Sequence, residues 1–242
     1  MGRVLPVLFN TDMVQVILEG NKTATRRVIK YPPHPDMPDN HNYCKMPLWM
    51  RVGKDKYGFR TLHYMDVNQT RYFESLAPFD KEDILYVRET WAFKCCIDCM
   101  DNEDDEECML EKTPVIHEDR DSVSEGCYIY RADHPCPERI AWRPSIHMPK
   151  AAARIWLKVT DVRVDRLQDM ALGDFLREGV TIRPEAYNDP DNAYGQARDN
   201  FIAIWDSTIS RQDNGRYGWE ANPWVWVIGF ERCGKPELRL EA

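Results

Sequence analysis

The strongest constraint on the fold is an apolar run near the end of the chain, residues 224–230 (WVWVIGF). A strand with one face in water alternates apolar and polar residues, whereas this run is apolar at both odd and even positions. Its valines, isoleucine and aromatic residues favour extended backbone over helix. We therefore predict a strand that lies in the centre of a sheet and not at its edge.

Other segments predict further strands and helices. β-Branched and aromatic residues are concentrated at 83–88, 127–130 and 155–164, which we predict as strands. The first helix is predicted to have Thr11 or Asp12 as its N-cap and to end before Gly20, with an apolar face formed by Met13, Val16 and Ile17. Two more helices are predicted at about 167–178 and about 196–209. Strands mixed with few helices indicate the α+β class, with a curled sheet.

No fixed-period repeat and no Gly/Ser linker divides the sequence, so we predict one domain over residues 1–242. Three polar stretches are interpreted as insertions in it. Residues 31–80 are rich in Pro, Asn, Asp and Tyr, with one short hairpin expected at YGFRTLHYM. The stretch at 94–126 is acidic and contains cysteines, and the third runs from 183 to 196.

The charge of the chain limits its partners. With 32 Lys and Arg against 40 Asp and Glu, the formal net charge is −8, the wrong sign for a protein that coats nucleic acid. Residues 22–30 nevertheless carry four cations and no acid, so a local basic patch is expected. No segment has the apolar length of a membrane span and the amino terminus does not resemble a signal peptide, so we expect a cytoplasmic protein without a membrane partner.

The chain has eight cysteines, which we interpret as thiols, because disulfides are typical of secreted chains. The alternative is a zinc site. Cys96 and Cys99 form a CxxC pair and Cys108 follows them, which is half of the usual ligand set. Because a second CxxC pair is absent from the sequence, we predict no metal, with these three cysteines as the alternative ligands.

The segment 20–27 (GNKTATRR) carries the strongest chemical signal. A turn after a helix exposes backbone groups and brings Lys22 and Thr25 within about one turn of each other. A lysine that is desolvated in a pocket loses part of its proton affinity and can act as a general base, while a neighbouring threonine hydroxyl becomes a usable nucleophile. The same residues also suit an ordinary solvated turn, so their spacing alone leaves both interpretations open.

The order of the segments extends this signal. GNKTATRR is followed by a strand after an acidic turn (EDILYV), a strand containing Thr160-Asp161-Val162, a helix ending at Glu178-Gly179, and WVWVIGF. In this order the chain resembles the ASCH family of the PUA-like superfamily over about half of its length. The segments YVRETW and WRPSIHMP and the insertions resemble those of larger, often phage-encoded members. The resemblance implies a PUA-like mixed β-barrel with flanking helices and long loop insertions, and a cleft for RNA or modified nucleosides.

The resemblance also implies an activity. Small ASCH members are amidohydrolases that remove the acetyl group of N4-acetylcytidine, and the matching catalytic residues here are Lys22, Thr25 and Glu178, with no cofactor. In this scheme Thr25 attacks the amide carbonyl, Lys22 accepts its proton, and Glu178 supports the lysine. Arg26 and Arg27 are assigned to anion contacts, and Arg27 or backbone N–H groups would hold the oxyanion. Taken alone, Glu178 would be interpreted as a solvent-facing residue at a helix end.

Two further segments supply substrate-binding candidates. Glu89 and Trp91 follow a predicted strand, so we assign Trp91 to stacking on a base and Glu89 to accepting from an exocyclic amine. Packing of Trp91 in the core, or a helix cap, are the alternatives. In WRPSIHMP, two prolines restrict the loop that carries Ser145 and His147, which suits a wall over a cleft. A serine hydrolase is excluded because these two are only two residues apart and no GxSxG segment exists.

Three functions compete on this basis. The first is hydrolysis of an N4-acylated cytidine-like substrate, with ribonuclease activity as the less favoured enzyme reading. The second is a non-enzymatic reader of RNA or of a modified or flipped base, in which Arg26 and Arg27 contact phosphates. The third is a phage-type protein that binds a host protein through the acidic run at 98–107. The predicted partner is a nucleoside or single-stranded nucleic acid, RNA being favoured, and a host protein only in the third case.

Overall fold

The computed structural model describes residues 2–30, 50–54, 60–65, 72–95, 113–117, 122–133 and 140–236. Its α-helices are α1 (Thr11–Leu18), α2 (Leu172–Arg177), α3 (Pro190–Thr208) and α4 (Asn214–Tyr217). Its strands are β1 (Val4–Leu8), β2 (Ala24–Val28), β3 (Met50–Lys54), β4 (Arg60–Met65), β5 (Tyr72–Leu76), β6 (Ile84–Arg88), β7 (Trp91–Cys95), β8 (Thr113–His117), β9 (Ser122–Tyr130), β10 (Trp156–Arg166) and β11 (Trp224–Cys233). The predicted α+β class is confirmed.

The largest sheet of the described residues has five strands in the order β1-β6-β10-β11-β2. It is mixed, because β1 runs parallel to β6 whereas β11 and β2 are antiparallel. β11 lies between β10 and β2, and its residues 225–230 are buried. The prediction of a central strand from WVWVIGF is therefore confirmed.

The closed barrel predicted with the fold is not formed by the described residues. A barrel requires every strand to pair on both sides, including the first and the last. Here β1 and β2 are the two edges of the sheet, and no ladder joins them within the described ranges. The sheet is open, and its strand order separates these edges by three strands.

α1 begins one residue earlier than a Thr11 cap implies. The side chain of Asn10 accepts a hydrogen bond from the Met13 N–H at 2.9 Å, so Asn10 is the N-cap and the predicted cap residues lie inside the helix. The buried face is formed by Val14 and Ile17, which are both 0% exposed. The prediction that Gly20 lies just past the helix end is confirmed.

Two helices differ from their predicted bounds. α2 starts at Leu172, not at about 167, because the Leu167 N–H donates to the carbonyl of Pro223 and extends the β10 edge. α3 starts at Pro190, inside the stretch interpreted as the third insertion. The Asp189 side chain caps it by accepting from two backbone N–H groups, and proline suits the first helical position. Both helices pack on an apolar core that includes Phe175, Phe201, Trp205, Trp219, Val225 and Val227.

The first two insertions contain sheets where loops were expected. Within residues 31–80 the strands β3, β4 and β5 form an antiparallel sheet, so the expected hairpin is part of a three-stranded unit. Around residues 94–126, β9 pairs antiparallel with both β7 and β8. The acidic run at 98–107 lies outside the described residues.

The described parts of the chain form two compact units. The first comprises Met1–Leu5, Val16–Leu85 and Leu157–Ala242, and the second comprises Pro6–Gln15 and Tyr86–Trp156. The assignment of the chain to a single domain stays a prediction. Within the described ranges, no helix combines the length and the apolar character that crossing a membrane requires.

Candidate functional site

The GNKTATRR turn connects α1 to β2 and is fixed by its own backbone. Gly20 has a φ of +83°, in the left-handed region that favours glycine after a helix end. The N–H groups of Asn21 and Lys22 then donate to the carbonyl of Val16 at 3.0 and 3.2 Å. The backbone of Lys22 also forms an isolated antiparallel β-bridge with that of Glu178. The turn therefore holds Lys22 against the end of α2.

A second glycine brings the two chain segments close together. Glu178 is the C-cap of α2, and Gly179 follows it with a φ of +87°. A Cβ atom at position 179 would lie 2.7 Å from Val16 Cγ1 and 3.1 Å from Lys22 Cβ. Only glycine meets both demands, the left-handed backbone and the close approach.

Four charged side chains meet at this point, and we call Lys22, Arg26, Asp174 and Glu178 the ion cluster. Lys22 Nζ donates to Glu178 Oε2 at 2.8 Å and to the Glu178 carbonyl at 2.7 Å. Arg26 Nη1 donates to the other carboxylate oxygen, Oε1, at 3.0 Å. The side chains of Lys22 and Arg26 are each 2% exposed and that of Glu178 is 7% exposed. Lys22 and Glu178 therefore converge as predicted, and both are buried.

Burial dominates the electrostatics of the lysine. It lowers the pKa of the Lys22 amine below the ordinary 10.5, although the Glu178 carboxylate opposes this shift. Repulsion by Arg27 and Arg26 adds to the lowering. An amine with a lowered pKa is neutral in a larger fraction of molecules near pH 7 and can accept a proton more readily. The direction of this shift is the one that a lysine base requires.

Thr25 lies next to the ion cluster in sequence but points elsewhere. In the antiparallel pair of β2 and β11, Thr25 lies opposite Ile228. Successive side chains of a strand point to opposite faces, so Thr25 and Arg26 point away from each other. Among the described residues, no hydrogen bond joins the Thr25 hydroxyl to Lys22 or to Glu178. The role of Thr25 as nucleophile stays a prediction.

Asp174 belongs to the ion cluster although it was not predicted from the sequence. Its carboxylate accepts from Arg163 Nη2 at 3.3 Å, lies 3.5 Å from Arg26 Nη2, and accepts the backbone N–H of Ala171 at 3.2 Å. Asp174 precedes Glu178 by four residues, so both face the same side of α2. This spacing of two acids before a glycine was the available signal, and it indicates a helix face that binds cations.

Glu89 belongs to a separate ion pair in the second unit. Its two carboxylate oxygens accept from Arg154 Nε at 2.9 Å and Nη2 at 3.0 Å, and Arg154 also contacts Asp133. Burial raises the pKa of Glu89, with the arginine opposing the shift. Burial also raises the pKa of Tyr130, whose ring lies under the Arg154 guanidinium, to about 12. Both Glu89 oxygens already have a strong donor, and its contact with an exocyclic amine stays a prediction.

Trp91 is the first residue of β7 and is 5% exposed. Its ring meets Tyr128 edge to face at a centroid distance of 5.7 Å, and the Arg143 guanidinium lies 5.1 Å from the ring centroid. This environment agrees with the packing alternative, while stacking on a base stays a prediction. The helix-cap alternative is wrong, because Trp91 starts a strand.

The other two binding candidates lie in a short 3-10 helix, Ser145–His147. Ser145 is half-buried and His147 is exposed. Arg88 Nη1 donates to the Ile146 carbonyl at 3.2 Å, which fixes the segment within the second unit. The restricted loop predicted from the flanking prolines is therefore a 3-10 turn, and its contact with substrate stays a prediction.

The cysteine cluster cannot be placed, because Cys96, Cys99 and Cys108 lie outside the described residues. Cys127 and Cys233 are thiols and are not joined in a disulfide. Within the described ranges, no group of three or more His, Cys, Asp or Glu side chains is arranged to hold a metal ion.

The chain was compared with protein families, curated proteins and solved structures, and no related protein was found. No family model matches the chain, and no curated protein or solved structure matches it at a significant level. The resemblance to ASCH domains therefore stays a prediction from the sequence, carried above all by GNKTATRR and WVWVIGF.

Proposed function

We propose that this is an ASCH-type protein that hydrolyses the exocyclic amide of an N4-acylated cytidine. One observation carries the proposal: Lys22 and Glu178, which are 156 residues apart, form a buried pair at 2.8 Å. A glutamate at a helix end before a glycine ordinarily faces solvent. Its burial against the lysine of GNKTATRR supports a functional reading of both residues.

The reaction divides into two steps on these residues. The Thr25 hydroxyl attacks the acyl carbon and its proton passes to Lys22, which returns a proton to the leaving nitrogen as the C–N bond breaks. Water then hydrolyses the acyl ester of Thr25, so the products are a carboxylic acid and the free cytidine amine. Glu178 stabilises the Lys22 ammonium that forms in the first step. If a water molecule takes the place of Thr25, Lys22 and Glu178 keep the same roles.

The test is an assay of N4-acetylcytidine hydrolysis, in which the cytidine that is released is quantified by chromatography. Lys22→Ala is expected to lower kcat/KM by about 100-fold or more, the usual contribution of a general base. Lys158→Ala is the matched control, because Lys158 lies in the same unit in an exposed ion pair with Glu82. Circular dichroism of each variant separates loss of the base from loss of the fold.

Thr25→Val tests the nucleophile separately. Activity that persists in Thr25→Val but is lost in Lys22→Ala would assign the attack to water. Wild-type protein that leaves N4-acetylcytidine and other N4-acylated cytidines intact would sink the proposed activity.

A second candidate function is a non-enzymatic reader of RNA or of a modified base. It is favoured by the cations Arg26, Arg27 and Lys30, which line one cavity at β2. A reader of this kind is expected to bind a single-stranded oligonucleotide, to lose affinity as salt rises, and to be weakened by Arg27→Gln. Binding that does not change with salt would argue against it.

A further inference from the structure

The first unit contains a cavity of about 260 Å³ at the carboxyl end of β2. One wall is formed by β2 and the residues just after it, including Arg26, Arg27 and Lys30. The other wall is formed by the end of α3 and the segment that leads into α4, including Trp205, Ser210 and Asp213. The cavity shares only Arg26 with the ion cluster.

The lining of this cavity is cationic in an acidic chain. Among the described residues that line it, Arg26, Arg27 and Lys30 are cationic and Asp213 is the one acid, whereas the whole chain has a net charge of −8. The Asp213 carboxylate also accepts a hydrogen bond from the Ser210 hydroxyl at 2.8 Å, so one of its oxygen atoms already has a donor within the same segment. Positive charge collected in a concave site attracts an anion.

The buried arginine supplies independent evidence for a missing acceptor. Arg26 is 4% exposed, and although its Nη atoms contact carboxylates, its buried Nε has no hydrogen-bond partner among the described residues. A buried donor without an acceptor destabilises a protein, and an anion in the cavity beside Arg26 would reduce this cost.

We propose that this cavity binds the phosphate group of a nucleotide. Arginine guanidinium groups and a lysine ammonium are the usual donors to phosphate, and both kinds of side chain belong to the residues that line this cavity. The volume is below the range of roughly 300–1,000 Å³ that encloses a drug-sized ligand, so it suits a phosphate and adjoining sugar with the base outside. The choice of a nucleotide over another phosphate ester rests on the proposed function.

Calorimetric titration of the wild-type chain with cytidine 5′-monophosphate, cytidine and inorganic phosphate tests the proposal. Cytidine 5′-monophosphate is expected to bind about tenfold or more tightly than cytidine, because only the nucleotide places an anion among the cations. It is also expected to bind more tightly than inorganic phosphate, and its advantage over cytidine should shrink as salt rises.

Lys30→Gln is the variant that leaves the fold intact, because Lys30 is exposed. It is expected to weaken the nucleotide about threefold, as an exposed charge contact does, without changing the affinity for cytidine. Arg27→Gln, which removes a more buried donor, is expected to weaken the nucleotide about tenfold. Arg198→Gln is the control with the same change of charge, since Arg198 is exposed on α3 and pairs with its neighbour Asp199.

Two results would overturn the phosphate site: a nucleotide that binds no more tightly than cytidine, or a Lys30→Gln protein that matches Arg198→Gln. Inorganic phosphate binding as tightly as the nucleotide would overturn the nucleotide assignment. Because binding requires no turnover, the two proposals fail separately. A protein that prefers the nucleotide but leaves N4-acetylcytidine intact refutes only the proposed activity.

Discussion

Two buried carboxylates, Glu178 in the first unit and Glu89 in the second, have different partners. Glu178 contacts Lys22 and Arg26, whose side chains are each 2% exposed, whereas Glu89 is held by Arg154, which is 26% exposed. Burial lowers the pKa of Lys22 and raises the pKa of Glu89. Arginine keeps its proton at every working pH, whereas a desolvated lysine can release one. Burial alone therefore does not make a base, because the buried pair must also contain a group that can exchange a proton.

The largest expected effect is on stability, from removing each carboxylate in turn. Glu178→Ala leaves two buried cations without their shared partner and is expected to lower the free energy of unfolding by about 3–5 kcal/mol. Glu89→Ala is expected to cost less, about 1–3 kcal/mol, because Arg154 keeps Asp133 and can reach water. Urea unfolding measures both variants. Equal losses would show that the exposure of the cation does not control the cost.

Double-mutant cycles isolate the pair energies from the other effects of each substitution. The cycle of Lys22→Met with Glu178→Gln is expected to give a coupling of about 2–3 kcal/mol, near the upper end for contacting residues. The cycle of Arg154→Met with Glu89→Gln is expected to give about 1 kcal/mol, because solvent screens the half-exposed arginine. A larger coupling energy at Glu89 would reverse the comparison, because the ion pair with the more exposed cation would then be the stronger of the two.

The elements that the sequence predicted correctly have local signals. β11 was predictable because its apolar run is continuous, and the end of α1 because a glycine takes a positive φ there. The start of α3 was missed because its first two turns are polar, although Asp189 before Pro190 is a cap followed by a favoured first residue. Local composition gives the type of an element more reliably than its ends.

More of the candidate site was predicted from the sequence in the first unit than in the second. GNKTATRR and Glu178 were found through a resemblance in the order of segments, and Lys22 and Glu178 do meet. The partner of Glu89 was missed because Arg154 lies 65 residues away and no local pattern joins them. The role of Thr25 stays a prediction, since nearness to Lys22 in sequence does not decide the direction of a side chain in a strand whose side chains alternate between faces.

Gly179 offers a smaller effect that tests how the ion cluster is positioned. Gly179→Ala is expected to cost about 2 kcal/mol, because a Cβ meets Val16 and Lys22 at 2.7 and 3.1 Å in addition to the strain of its positive φ. Gly20→Ala is the matched control, since Gly20 also has a positive φ but a Cβ there meets no atom within 4 Å. Its cost is expected to be about 1 kcal/mol. Equal losses in the two unfolding curves would mean that the close approach at Gly179 does not matter.

The smallest expected effect is in the pH dependence of stability, where the two carboxylate sites should differ in sign. The pKa of Lys22 is lower in the folded protein than the ordinary 10.5, so between these values the unfolded chain binds more protons and the free energy of unfolding rises with pH. The pKa of Glu89 is higher in the folded protein than the ordinary 4.5, so its stabilising contribution is complete below 4.5 and falls as pH rises through the folded value.

Unfolding free energies of Lys22→Met and Glu89→Gln, each subtracted from wild type at several pH values, isolate the two slopes. Measurements below pH 10 avoid the ordinary titration of Tyr130, whose folded pKa is about 12. A Lys22→Met profile parallel to wild type across the alkaline range would assign Lys22 an ordinary pKa and remove the proton-exchanging property that distinguishes its site from that of Glu89.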